Sequence, residues 1–411
     1  MALNKLAAMY ISAFLCGLAI CSVAAGQSVP EPQTLDDGRQ WLDSRALPAA
    51  TAPALLRAAA ANARNQTAIS ERLLLGLVES QPGSDAARQA HELLSRIYLR
   101  SGQYGRVTTN LDEWARAFPD DPRLRAEKAD VEQFRGLPDQ INGRRRRFTL
   151  RHGPDFAAPL LINGQRSTYL LDTGAWISVM TIAEAKRLGL TMEAGGGVLG
   201  ESSGKGVNVR MAVAKTLSVG PMVFHNVSFA ILPDVEPWKS MPTGHGGIIG
   251  APVLLQLGCL RWTKGGAWEV GCRTGISPAD TTNMVFFGNH LLVASKVSNR
   301  QSFMTLDTGA ETTDLNANFA REFASEIQAA GRRDTTSVSG VGGTAVIDSI
   351  SLPQLDFLIA GKSVTLHAAN VTMQENAALG GRCCIGNIGL DLLLQTGALT
   401  IDFSNMTLRI H

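Results

Sequence analysis

Charge is scarce in this chain. Asp, Glu, Lys and Arg make up only 18% of 411 residues, and the formal net charge is +2. That near-neutral balance gives no footprint for nucleic acid. The one dense basic run, Arg144-Arg145-Arg146-Arg147, reads as a solvated linker, with a processing site as its functional alternative. Metal-ligand spacing is missing as well. The cysteines do not fall into a zinc pattern, and the chain lacks a phosphate-cradling glycine loop and a metal-binding histidine pair. None of the seven histidines sits in a recognisable nucleophile context. His245, inside Thr-Gly-His-Gly-Gly, reads as a loop residue. No metal and no cofactor are therefore expected. The 45% apolar content is that of a folded protein with a large core, in two or three domains.

The N-terminus reads as a targeting segment. Lys5 precedes an apolar stretch from Leu6 to about Ala19, and Val23-Ala24-Ala25 offers a cleavage site after Ala25. Residues 1–26 are set aside as a signal, and export to the periplasm or the medium is expected. A membrane enters only if the segment stays uncleaved and residues 6–25 act as an anchor. Lipid modification at Cys21 is disfavoured by the bulky Ile20 before it.

Export makes the cysteines readable. Four remain beyond the signal: Cys259, Cys272, Cys383 and Cys384. A two-residue Gly265-Gly266 turn would set Lys264 opposite Ala267 and, further out, Cys259 opposite Cys272. Such a pair lies within disulfide reach, so this bond is expected. For the adjacent Cys383 and Cys384, free thiols, a vicinal bond and pairing elsewhere all stay open.

Residues 27–146 read as an α-helical domain and linker: residues 34–137 carry helical spacing, with apolar stripes at Trp41, Leu55-Leu56, Leu73-Leu74-Leu75, Leu93-Leu94 and Ile97-Tyr98-Leu99. The stretch from Ala86 to Pro122 resembles a tetratricopeptide unit; a generic helical bundle is the plain alternative. The stripes imply a core of the module's own, so residues 140–411 are expected to fold without it.

From Arg147 onward the character changes to glycine-rich and β-branched, and the chain repeats itself. Tyr169-Leu170-Leu171-Asp172-Thr173-Gly174-Ala175 matches Met304-Thr305-Leu306-Asp307-Thr308-Gly309-Ala310. Ile249-Gly250 and the residues up to Gly258 match Ile388-Gly389 and those up to Gly397. Gly250 lies 78 residues beyond Asp172, and Gly389 lies 82 beyond Asp307. Between the two motifs each copy has a glycine-rich stretch, containing Gly200 and Gly204 in one and Gly340 and Gly342 in the other. The halves span residues 147–273 and 283–411.

At these residues the sequence resembles the aspartic peptidases, the retroviral type (retropepsins) more than the pepsins. The resemblance covers residues 147–411. It rests on Leu-Asp-Thr-Gly-Ala twice, on Ile-Ile-Gly at 248–250 and Asn-Ile-Gly at 387–389, and on the glycine-rich stretches. It implies a bilobal, mainly-β fold of two retropepsin-like barrels after the all-α region, with both halves in one chain as in pepsins. It implies that Asp172 and Asp307 share one proton and activate a water against a peptide carbonyl. Thr173 and Thr308 would lock the two loops together, and Gly174 and Gly309 would present N–H groups to the carboxylates. Ile249-Gly250 and Ile388-Gly389 would pack beneath the loops. Gly200, Gly204, Gly340 and Gly342 would belong to flaps closing over substrate. Two departures matter: no flap tyrosine is evident, and Ala175 and Ala310 stand where pepsins carry Ser or Thr. Alanine cannot donate to a carboxylate, so the dyad's shared proton is expected to persist to higher pH.

The expectation is an exported aspartic endopeptidase with a polypeptide substrate and a protein partner engaged through the helical region. The alternative is a non-catalytic peptide- or protein-binding module on a degenerate peptidase fold. A third reading takes residues 27–146 as an inhibitory pro-segment.

Overall fold

The computed structural model describes residues 35–42, 48–151, 156–200, 206–235, 238–240, 243–273, 282–340, 343–374 and 383–411. The targeting segment at 1–26, and Gly204 and Gly342, lie outside the described residues.

Five helices come first: α1 Ala54–Ala63, α2 Thr67–Ser80, α3 Asp85–Arg100, α4 Tyr104–Ala117 and α5 Pro122–Val131. Their ends are written in the sequence. Ser84 caps α3 by accepting from the Ala87 N–H. Asp121 caps α5 ahead of Pro122 and also accepts from Trp114 Nε1 at 3.0 Å. On α3, Ala90, Leu93, Leu94 and Ile97 are all buried, the one-sided stripe expected of a helix facing a core.

That core is not the helices' own. The cluster containing Leu93, Leu111, Trp114 and Phe134 continues without a break into Ile177, Val179, Val209, Met211, Ala230 and Ile248 of the first β half. Tyr104 stacks on Phe134 at 4.8 Å, and Phe134 meets Trp176 edge-on at 5.8 Å. The layer also reaches the second half. Arg100, fully buried, donates to the Gly288 carbonyl at 2.8 Å and lies over the Phe286 ring at 4.0 Å. Asn65 Nδ2 donates to the Phe403 carbonyl at 3.0 Å. A module with a separable core is therefore not what the structure contains: apolar stripes reveal that a helix is buried, not against what.

The two halves repeat in their strand order. In the first, Ala157–Ile162, Gln165–Leu171, Gly247–Ile249, Ser178–Thr181, Met222–Leu232, Gly206–Val219 and Met192–Gly200 lie side by side. In the second, Met284–Phe287 forms an extra edge. The same order then follows: His290–Val297, Arg300–Leu306, Gly386–Ile388, Asp314–Leu315, Lys362–Thr372, Gly343–Ile359 and Arg332–Gly340. Each sheet curls back on itself through one further pairing, Leu161↔Ser218 in the first and Lys296↔Leu358 in the second, which makes both barrel-like. A third sheet of five strands joins them. At its centre Cys259–Thr263 runs antiparallel to Ala398–Asp402, with Leu260 opposite Ile401. One hydrophobic cluster spans both halves across it, from Phe156 and Trp268 to Leu399 and Ile410.

The Cys259–Cys272 disulfide forms, with Cα atoms 5.2 Å apart, but through a different register. Thr263 pairs with Ala267, so the loop holds three residues, with Gly266 at φ +86°. Gly271, not Cys272, comes opposite Cys259 and donates to its carbonyl at 2.8 Å. Gly271 at φ +68° turns the chain so that the next residue reaches the bond. Cys383 and Cys384 pair with each other. The arginine run is exposed but engaged: Arg145 donates to the Leu255 carbonyl and to Ser404 Oγ, and Arg147 pairs with Glu269 at 2.7 Å.

Candidate active site

Each Asp-Thr-Gly follows directly on a strand that has a parallel neighbour from the second motif. Leu171 pairs with Ile249, and Leu306 with Ile388. The Asp172 N–H then donates to the Ile249 carbonyl at 3.0 Å, and the Asp307 N–H to that of Ile388 at 3.1 Å. The second motif thus fixes where each carboxylate leaves its strand. Gly250 and Gly389 are close-approach positions: a Cβ would lie 2.6 Å from the Ile177 carbonyl carbon in one and 2.5 Å from that of Thr312 in the other.

The loops meet across the halves. Thr173 Oγ1 donates to the Leu306 carbonyl at 2.8 Å, and the Thr308 N–H donates to Thr173 Oγ1 at 3.1 Å. In return Thr308 Oγ1 donates to the Leu171 carbonyl at 2.5 Å, and the Thr173 N–H donates to Thr308 Oγ1 at 3.1 Å. Four hydrogen bonds fix one loop against the other.

The glycines of these loops are not there to turn the chain. Neither has a positive φ. A Cβ on Gly174 would lie 2.6 Å from Asp307 Cγ, and one on Gly309 would collide with the Asp172 carboxylate. Each glycine makes room for the opposite carboxylate. The Gly174 N–H donates to Asp172 Oδ1 at 2.7 Å and the Gly309 N–H to Asp307 Oδ1 at 2.9 Å. The Ala175 and Ala310 N–H groups add second donors at 3.2 and 3.1 Å.

Asp172 is buried, at 8% exposure. Burial, then the charge of Asp307 and a hydrogen bond with it, hold the Asp172 carboxyl well above the usual carboxylate range; the two amides oppose this. Two carboxylates in hydrogen-bond contact cannot both be ionised, so they titrate as a pair.

Beyond these contacts the halves part company. Asn387 Nδ2 donates to Asp307 Oδ2 at 3.0 Å. Thr305 Oγ1 donates to Asn387 Oδ1 at 2.7 Å and so fixes which way the amide points. Asn387 also faces Asp314, its partner across the sheet, and favours its ionised form. Solvent reaches the Asp314 side chain although protein surrounds it. That crowding first, then Asp307, raises its carboxyl to about 7, against the pull of Asn387. The register gives Leu170, Ile248 and Val179 as the matching residues of the first half, all apolar. His290 stands within electrostatic reach of Asp307 and of Arg96 on α3. Burial and Arg96 lower its pKa to about 4, against Asp307.

Asn387, Asp314 and His290 were not among the expected site residues. One signal existed: Asn-Ile-Gly stands in the second copy where the first reads Ile-Ile-Gly. Asn387 also corrects the reasoning from Ala175 and Ala310, since a side-chain donor reaches one carboxylate from another strand. Gly200 and Gly340 end the edge strands of two hairpins, opposite Gly206 and Gly343. In the first hairpin Gly197 abuts Gln133 of the helical layer. Among the described residues, no group of three or more His, Cys, Asp or Glu could hold a metal, and no helix is long and apolar enough to cross a membrane.

A family model for aspartyl proteases matches residues 158–253, which cover the first Asp-Thr-Gly and the motif beneath it. No curated protein matches the chain.

Proposed function

We propose that the chain is an exported aspartic endopeptidase in which both halves contribute to one site. The observation that carries this reading is the hydrogen-bonded pair Asp172 and Asp307, placed across the seam by Thr173 and Thr308. A pair sharing one proton supplies a base and an acid at once. The ionised carboxylate takes a proton from a bound water, which attacks the peptide carbonyl. The protonated one donates to the carbonyl oxygen, and no covalent intermediate forms. The twice-repeated strand order supports the retropepsin-like type, joined in one chain, with Gly200, Gly204, Gly340 and Gly342 in two flaps. The succession of helices joined by short turns supports a tetratricopeptide-like reading of residues 27–146. Their shared core with the first half favours a permanent part of the enzyme over a cleavable pro-segment. The Cys259–Cys272 bond supports an oxidising, exported location.

Asp172→Asn and Asp307→Asn are each expected to lower kcat/KM on a peptide library at least a thousandfold, with unchanged circular dichroism. Activity near wild type in either variant would sink the dyad.

A further inference from the structure

The polar relay around Asp307 occurs in one half only. Three residues that touch, Thr305, Asn387 and Asp314, are polar together, and their three counterparts Leu170, Ile248 and Val179 are apolar together. Nothing in the fold requires this, because the same strand pairings form in both halves. The donors on Asp172 and Asp307 are otherwise matched, two backbone amides each. Among the described residues, the difference between their donors is thus one amide hydrogen, from Asn387 Nδ2 to Asp307 Oδ2.

We infer that Asn387 is a positioning residue that breaks the symmetry of the dyad, placing the negative charge on Asp307 and the shared proton on Asp172. The inference rests on the peptidase reading for its functional meaning, but not for its test. A donor stabilises the ionised form of its acceptor. With its oxygen accepting from the Thr305 hydroxyl, Asn387 presents its amide hydrogens to Asp307. Among the described residues Asp172 has no such side-chain donor, and it lies in the more buried surroundings, which favour the neutral acid. Asp307 is then the base that takes the proton from water, and Asp172 the acid that gives one to the carbonyl oxygen. The charged and titratable groups facing this relay are Asp172, Asp314, Asp391 and His290, with Arg96 behind His290. Ionisation of Asp314 at higher pH adds negative charge beside Asp307 and draws on the same amide.

The test is the titration of the dyad in the intact protein, read by NMR of 13C-carboxyl-labelled aspartate, together with the pH profile of kcat/KM. Asn387→Leu and Thr305→Val remove the donor and its orienting partner respectively. Removing a donor to the ionised form makes ionisation harder, so the dyad's first titration should move up by about one pH unit in Asn387→Leu. The acidic limb of kcat/KM should follow it, about tenfold lower on the acid side and recovering above it. Thr305→Val should move both in the same direction by less. A uniform loss across pH with an unmoved titration would overturn the inference and leave Asn387 a structural residue. A shifted titration in a protein without peptidase activity would uphold the inference and sink the peptidase reading instead. Should Asn387→Leu not fold, Thr305→Val alone decides, and an unmoved titration there overturns the inference.

Discussion

The two halves share a strand order, a loop and a second motif, yet their surroundings differ in kind. Behind Asp172, Trp176 and Ile177 lead into a core shared with the helical layer, and Val179 and Ile248 are buried in it. Behind Asp307, Glu311 and Thr312 at the matching positions are exposed, and Asn387 and Asp314 form a polar edge that solvent reaches. Duplication preserves what both carboxylates require, namely the strand pairing, the amides and the cross-half threonines. It leaves free what only one of them needs. In a site where one group must be acid and the other base, unlike surroundings are how like residues acquire unlike roles.

The contrast can be broken most severely at the helical layer. Residues 140–411 alone would expose the apolar face of the first half, from Ile177 to Met211. That fragment is expected to be insoluble, in contrast to the expectation from sequence. Within the full chain, Trp176→Ala should cost about 3–5 kcal/mol, because it empties the space against Phe134. Glu311→Ala at the matching place should change stability by less than about 0.5 kcal/mol. Chemical denaturation of the two variants measures the contrast, and equal effects would show that the layer does not favour one half.

The threonines sharpen it on a smaller scale. Thr308 is fully buried and Thr173 is partly exposed. Thr308→Val strands the Leu171 carbonyl and the Thr173 amide away from water, at about 2–3 kcal/mol. Thr173→Val lets water replace part of what is lost, at about 1 kcal/mol. A double-mutant cycle from urea melts should give coupling between them, since they share one lock.

The smallest effect depends on pH. The Asp314 carboxyl titrates near 7 in the folded chain and near 3.9 in an unfolded one. Its folded value is raised, so the folded state binds the extra proton. The stability this confers is present below about pH 4 and is lost as pH rises toward 7. Asp314→Asn, which carries no such loss, should therefore melt with wild type at pH 4 and above it at pH 8. Thermal melts at both values decide; a gap at pH 4 and none at pH 8 would reverse the sign.

Much of this was legible in the sequence. The repeat showed the two Asp-Thr-Gly loops and the motifs beneath them because each is a local pattern of strand, loop and glycine. What stayed hidden depends on packing between distant segments. The helical stripes do not say that Phe134 will meet Trp176. The turn at Gly265-Gly266 looks like a two-residue loop until Gly266 takes a positive φ and shifts the register. Asn387 could be seen but not weighed, since only the pairing with Thr305 and Asp314 turns an odd residue in a repeat into a donor aimed at a carboxylate.

The threonine lock joins residues 135 positions apart, and Leu260 pairs with Ile401 at the centre of the joining sheet. Contacts between such distant segments carry a high closure cost until each half has formed its own sheet. The seam is therefore expected to close late in folding. Because the two carboxylates come from opposite sides of that seam, a nascent or half-folded chain holds two separate, ordinary aspartates. On the proposed peptidase reading, such a chain could not cut itself or its neighbours before it reaches its native state.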